Sequence, residues 1–310
     1  MRVVADHVVL ATGTIEATRL LLWTRETLGH ARFGGDSLGH YFQDHLRLEA
    51  GHLDTRDSPL LSVFGYTLVA KTLRSLFLEL APQAQLSHGV YGAFVYTQLD
   101  LQHGALRHLR EAATDLQQGR VELKKLAKLA ANSIPVARSL FEFSRTGYLP
   151  IPPRTRLRLM MGVEQMPNYG NRIALGASKD PFDVPLASIS WSPTETDGRA
   201  FVAMAHCLDA FWSQAGRSMP RLHLHALFSK NPVEIAMGAH DAAHPSGTTR
   251  MGTTGSSSVV CPDLFTHDCP NLSVVTASVF PSAGSANPTL TLMALALAHA
   301  ERLAGTLLHK

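Results

Sequence analysis

Val3-Val4-Ala5-Asp6-His7-Val8-Val9-Leu10-Ala11-Thr12-Gly13-Thr14-Ile15-Glu16-Ala17-Thr18-Arg19-Leu20-Leu21-Leu22 is the stretch that sets the fold class. Val3 to Leu10 is β-branched and apolar on both faces, the pattern of a buried parallel strand. Ala11 to Thr14 forms a tight turn around Gly13. Ile15 to Arg25 then reads as a helix whose apolar surface comes from Leu20, Leu21, Leu22 and Trp23. Strand, glycine turn and helix in this order predict an open α/β sheet. The run from Met1 is no signal peptide, because it lacks a basic start, a long apolar stretch and a small-residue cleavage site. It enters a strand at full stride, whereas free termini are usually loose.

Further along, His45 to Leu53 alternates, with Leu46, Leu48 and Ala50 set against Arg47, Glu49 and Gly51, as a half-buried strand does. Val90 to Leu99 is a strand. Leu106 to Phe143 has helical spacing, broken by Gly119 and Pro135, with Lys124 and Lys125 on a solvated face. Pro150, Pro152 and Pro153 close that region. Arg156–Gln165, Asn171–Leu175, Leu186–Trp191 and Arg221–Phe228 read as strands, and Asp197–Gln214 as an amphipathic helix. Asn271 to Thr276 is a strand, Val279 to Ala286 a small-residue turn, and Asn287-Pro288-Thr289 opens a helix running to about Leu308. Asn at the N-cap with Pro following is a start signal. Leu290 to Ala298 is apolar nearly all round, which predicts that the first half of this helix is buried.

The 310 residues are ample for a packed core. With 45% hydrophobic and 17% charged residues the chain is globular, not disordered. Its net charge of +3 comes with no Lys/Arg block of the kind that grips nucleic acid. No apolar run is long enough to span a bilayer, and three cysteines cannot all pair. The address is unknown: this chain alone reads as cytoplasmic, and any N-terminal signal is expected to be missing from it.

Two segments carry candidate chemistry. Gly284 to Thr289 places small residues over a helix N-terminus, which has partial positive charge and unpaired N–H groups; an ordinary capped helix looks the same. His244-Pro245-Ser246-Gly247-Thr248-Thr249-Arg250-Met251-Gly252 presents an imidazole on a tight loop. A metal competes for it, since His240 and His244 have i, i+4 spacing, Cys261, His267 and Cys269 follow, and His223 and His225 share a strand face. No CxxC is present and Pro245 directly follows His244, so no metal site is expected.

Taken together, five ordered stretches make the chain resemble the C-terminal part of the glucose–methanol–choline oxidoreductases, FAD-dependent enzymes acting on alcohols. Val8 to Leu22 is similar to the family's G-A-x-x-S-P-x-L-L signature, departing at Thr14, Ala17 and Thr18. Leu38-Gly39-His40-Tyr41-Phe42-Gln43-Asp44-His45 resembles the flavin-proximal G-x-x-x-x-D-H segment. Glu164 to Asn168 and Asn171 to Leu175 resemble a substrate-domain passage. His244 to Gly252 follows H-x-x-G-T-x-R-M-G, and Ser278-Val279-Phe280-Pro281 through Asn287-Pro288-Thr289-Leu290-Thr291 follows S-V-F-P…N-P-T-L-T. Five ordered motifs are far more specific than one.

The resemblance implies an α/β fold in two parts: residues 1–47 and 236–310 as a partial FAD-binding, Rossmann-like domain, and residues 48–235 as an α+β substrate domain of sheet and helices. It implies FAD as cofactor and a small-molecule alcohol or sugar as substrate; composition has already given the expectation of no nucleic acid and no membrane span. His244 is then the base that takes the alcohol proton, and Asn287 holds the alcohol oxygen. Positions facing the flavin are Thr12, Gly13, Asp44, His45, Ala277, Ser278, Asn287, Pro288 and Thr289. Tyr91, Phe94, Phe141, Phe143 and Trp191 are candidates for a substrate pocket, although aromatics at such spacing also build cores. The family's G-x-G-x-x-G strand–turn–helix unit is absent, so the expectation is a C-terminal portion that needs a further FAD-binding segment or chain. The alternative is a non-catalytic remnant that binds no flavin alone.

Overall fold

The structure is a computed structural model and describes residues 4–29, 33–54, 61–70, 72–99, 114–115, 118, 133–148, 157–216 and 219–308. Most of the helix expected from Leu106 to Phe143 lies outside these residues, as do Pro150, Pro152 and Pro153. Its end is present as the Ser133–Thr146 helix. Pro135 sits in the first turn, where a missing N–H breaks no intrahelical bond.

In chain order the strands are β1 (Val8–Leu10), β2 (His45–Leu53), β3 (Tyr66–Val69), β4 (Thr72–Ser75), β5 (Phe77–Glu79) and β6 (Ala93–Leu99). They continue with β7 (Leu157–Glu164), β8 (Arg172–Lys179), β9 (Pro185–Ser190), β10 (Leu222–Leu224), β11 (His240–Asp241) and β12 (Leu272–Val274). Among the described residues the central sheet has the order β10-β2-β7-β6-β5, with β11 also pairing β2, and its pairs are antiparallel. Period-two patterning dictates its inner face: Leu46, Leu48 and Ala50 on β2, Val95 and Leu99 on β6, and Leu157, Leu159, Met161 and Val163 on β7 are buried. The Glu195–Ala215 helix lays Phe201, Met204, Leu208 and Trp212 on this face. It starts at a capping box, in which the Thr194 hydroxyl accepts the Asp197 amide and the Asp197 carboxylate accepts the Thr194 amide. Each large side chain buried here stabilises the fold by roughly 1.5–3 kcal/mol.

Strand β2 carries one irregularity. Its register with β7 shifts between Glu49 and Gly51. The extra residue reverses the parity, so that Leu53 joins Leu46 and Leu48 in the core. A Cβ on Gly51 would stand 1.9 Å from the His223 carbonyl oxygen, so the close β2–β10 approach requires glycine there.

A second core gathers Ala17, Leu21 and Leu22 of the Thr14–Thr27 helix with Leu38, Phe42, Ile173, Val260, Leu264, Val274 and Phe280. The β8–β9 hairpin lies on that helix, held by the Arg19 guanidinium, which donates to the Asp180 carboxylate at 2.5 Å and the Pro185 carbonyl at 2.6 Å.

Three expectations need correction. β1 does run parallel to a partner, β12, but Val8 and Val9 are 46% and 43% exposed. Among the described residues β12 is its one paired strand, so the apolar side chains stand uncovered. The closing helix spans Pro288–Leu308 as foreseen, yet Leu290, Met293 and Leu297 are 78%, 57% and 65% exposed; only Leu292 and Leu295 pack on the second core. Arg221–Phe228 is a three-residue strand followed by a 3₁₀ turn at Ala226–Ser229, because the chain leaves β2 there. Among the described residues no helix is long and apolar enough to cross a membrane.

Candidate active site

Three segments meet at one end of β2: residues 39–45, 242–248 and 281–287. Gln43 and Ser246 exchange both backbone hydrogen bonds, at 3.1 and 2.9 Å. The Gln43 side chain donates to the Tyr41 and Pro281 carbonyls and accepts the Ala283 amide at 3.1 Å. A Cβ on Gly247, whose φ is +77°, would stand 1.9 Å from the Tyr41 carbonyl oxygen, so the motif's glycine is what permits this approach. The N-terminal turn of the Thr14–Thr27 helix is tied to the same loop by Thr14 Oγ1 to the Pro245 carbonyl and by Thr18 Oγ1 to Thr248 Oγ1, both 2.7 Å. Tyr41, Ala243 and Thr248 are held at φ of 62°, 59° and 70°. Side chains rarely adopt this region, and such strain concentrates at working sites.

Asp44 aims its buried carboxylate at this loop. It accepts the His244 amide with both oxygens at 3.0 Å and the Ala242 amide at 3.2 Å. Burial raises its pKa above the usual carboxylate value, and the two amides oppose the rise. The His244 ring meets His45, with Nδ1 to Nδ1 at 3.0 Å, and His45 Nε2 lies 2.6 Å from the Gly284 carbonyl oxygen. Partial burial, more than any other cause, holds His244 below the ordinary histidine pKa. The Arg47 charge, and any proton placed on the neighbouring His45, act in the same direction, and Asp44 opposes them. The shift favours the uncharged ring of His244.

The outward face of the sheet supplies the rest. His45 and Arg47 alternate with the core residues and open onto a cavity of about 280 Å³, which His244 and Asn287 also line. Its wall is aromatic: Phe77 stacks on Tyr96 with centroids 5.0 Å apart, and Phe94 lies beside both. Phe94 fits because it faces Gly162, where a Cβ would meet the ring at 2.4 Å. The Arg47 side chain is exposed and makes no ion pair or hydrogen bond among the described residues. The Asn287 side chain makes none either, so it does not cap the helix as expected. Its amide is left for a ligand. Ser246 Oγ is buried without a partner.

The structure thus brings Asp44, His45, His244 and Asn287 together. Thr12 and Gly13 lie at the uncapped start of the Thr14–Thr27 helix, away from the cavity lining. Ala277 and Ser278 form a 3₁₀ turn, with Ser278 buried against Thr249; Pro288 and Thr289 open the last helix. Of the aromatic candidates only Phe94 lines the cavity. Trp191 instead packs on both cores and donates to Gln165, and Phe141 is exposed. Phe77, Tyr96 and Arg47 were not singled out as site residues. The alternation of β2 could have flagged Arg47 beside His45, whereas nothing local marks Phe77. His240 and His244 sit on a strand and the loop after it, not on one helix.

This architecture and site define an α/β protein with a histidine-bearing pocket at a sheet end. Residues 167–296 match the family model of the GMC oxidoreductases, and over this stretch the chain is similar to the C-terminal portion of that family. Paromamine 6′-oxidase of Streptomyces fradiae is 30% identical over 154 residues, 50% of this chain and 26% of that protein. 2-Methyl-1,2-propanediol dehydrogenase of Mycolicibacterium austroafricanum is 32% identical over 143 residues, 46% of this chain and 24% of that one. The formate oxidase of Aspergillus oryzae RIB40 shares the fold, with a TM-score of 0.51 at 16% identity over 95% of this chain and 53% of its own. The chain spans about half the length of that solved relative, and its sequence matches about a quarter of each curated one.

Proposed function

We propose that the chain supplies the substrate pocket and the proton-handling side chains of an FAD-dependent oxidoreductase that acts on the CH–OH group of a small alcohol or sugar. The observation that carries this is the convergence of His244 and Asn287, from separate motifs, on one aromatic-walled cavity. Two relatives are named as an oxidase and a dehydrogenase, and FAD is named with the formate oxidase.

The residues present fit a flavin. Ser246 offers a buried hydroxyl with no partner. Gly13, at φ +82°, has open space where a Cβ would stand, at a helix start without a side-chain cap. Thr12, Gly13, Asp44, His45, Ala277, Ser278, Asn287, Pro288 and Thr289 are the residues assigned to hold it. When bound, FAD accepts the hydride of the carbinol carbon. His244, uncharged, takes the hydroxyl proton. The Asn287 amide donates to the hydroxyl oxygen and aligns it. Phe77, Phe94 and Tyr96 exclude water from the reacting end. Helix N-termini at Thr14 and Pro288 favour negative charge nearby.

Residues 1–47 and 236–310 would form the flavin side and residues 48–235 the substrate side, a division supported by the two cores. Ile173 and the β8–β9 hairpin cross it. Because the sequence lacks G-x-G-x-x-G, we assign the FAD pyrophosphate to a further segment or partner chain.

The test is a visible spectrum of the protein purified with FAD, followed by anaerobic mixing with alcohols. Bound flavin that bleaches is the expected result, and His244→Ala should slow bleaching by roughly 10²–10⁴-fold. A His244→Ala protein that reduces flavin at the parent rate overturns the assignment. A colourless monomer favours a non-catalytic remnant.

A further inference from the structure

The Gly284–His45–His244 chain of contacts has a consequence for where protons sit. A carbonyl oxygen only accepts, so His45 Nε2, at 2.6 Å from the Gly284 oxygen, must carry a proton. In an uncharged His45 ring, Nδ1 is then a bare lone pair. His45 Nδ1 faces His244 Nδ1 at 3.0 Å, and such a contact needs one proton between the two nitrogens. With both rings uncharged, that proton belongs to His244. His244 is left with Nδ1–H toward His45 and a bare Nε2. The other arrangement puts the proton on His45 and makes it a cation. His45 is 1% exposed and bonds no carboxylate among the described residues, so that charge would be buried and unpaired there.

We propose that His45 is a positioning residue: anchored by the Gly284 carbonyl, it fixes His244 in the tautomer whose unprotonated Nε2 is the nitrogen left to the cavity. This rests on the reading of His244 as the proton acceptor, and it gives His45 a role in addition to the flavin contact proposed above. A base must offer a lone pair to the hydroxyl it deprotonates. A free histidine favours the opposite tautomer, with the proton on Nε2, which would point a donor at the alcohol. After transfer, His244 holds protons on both nitrogens and the Nδ1–H bond to His45 is unchanged. Balance is kept: the O–H bond breaks, the Nε2–H bond forms, and His45 neither gains nor loses a proton. The same contact anchors the Gly284 turn, which is also pinned to Glu164 through the Gly284 amide at 3.0 Å. Base and alcohol-orienting loop are thereby held to one strand end.

The experiment is ¹⁵N NMR of the histidine-labelled full chain without flavin, with His244 assigned by substitution, at a pH where both rings are uncharged. The expected wild-type spectrum has His244 Nδ1 in the protonated region and Nε2 in the unprotonated region. His45→Leu removes the acceptor, so the two His244 signals should exchange regions. His45→Gln can still donate to Gly284 and accept from His244, and should keep the wild-type pattern. A wild-type His244 protonated on Nε2 overturns the proposal, as does a folded His45→Leu protein with an unaltered pattern. If His45→Leu does not fold, the wild-type and His45→Gln spectra decide. In the FAD-loaded protein, flavin reduction by His45→Leu should fall at least tenfold and recover in His45→Gln. Its pH dependence reports His244 together with His45, Asp44 and Arg47. The NMR arm needs no flavin, so a chain that never reduces FAD but shows the stated tautomer sinks the oxidoreductase reading and not this one.

Discussion

Asn287→Ala separates a helix cap from a catalytic donor, and the structure fixes the expected size of each effect. Were Asn287 an N-cap, its loss would cost about 1 kcal/mol of stability, within a range of about 0.5–2 kcal/mol. Its side chain makes no bond to the first turn of the Pro288–Leu308 helix and stands exposed at the cavity. The unfolding free energy should therefore change by no more than about 0.5 kcal/mol, as for other surface positions. The rate should respond differently. Negative charge grows on the alcohol oxygen as its proton leaves, and losing one aligned donor to such an oxygen typically costs ~10²–10³ in rate, or about 2.7–4 kcal/mol. Urea denaturation gives the first quantity. Stopped-flow flavin reduction at saturating alcohol gives the second, and KM should move less than kcat because the bond strengthens in the transition state. A stability loss above about 1 kcal/mol with less than a tenfold rate effect would refute the reasoning and return Asn287 to a capping role.

Other outcomes follow from the same geometry. Arg47→Gln removes a positive charge that disfavours protonation of His244, so the His244 pKa rises and the alkaline-activated limb of flavin reduction moves to higher pH; a limb that stays put or moves lower contradicts this. Asp44→Ala orphans the part-buried His244 and Ala242 amides at ~1–3 kcal/mol each. Less the relief of no longer burying a carboxylate, the net destabilisation by urea should be about 2–4 kcal/mol. Gly162→Ala drives a methyl into the Phe94 ring and should cost ~1–3 kcal/mol, with Phe94→Leu in the same chain recovering most of it.

What the sequence revealed depended on how local the determinants were. The β2 alternation, the amphipathic spacing of Asp197–Gln214 and the Pro288 start are written within a few residues, and those elements form close to where periodicity and the start signal place them. His244 and Asn287 stood out only through the resemblance of their motifs to a known family, because a surface histidine and a capped helix start look the same locally. The cavity wall was not. Phe77 stacks on Tyr96 only because β5 pairs with β6 in one register, a long-range fact with no local signal. Burial was misjudged at Val8, Val9 and Leu290 for a related reason: apolar composition says that a face can be covered, but the partner that covers it is not written in the face. The His45–His244 contact joins residues far apart in the chain and was likewise out of reach.

Strand β2 faces two tasks at once, with Leu46 and Leu48 turned to one side and His45 and Arg47 to the other. A slip of one residue against β7 would send the leucines to the cavity and the imidazole into oil. This part of the chain can therefore trade side chains on either face independently but cannot change length. Between Asp44 and the bulge at Ala50, a one-residue insertion or deletion would cost the fold and the chemistry together.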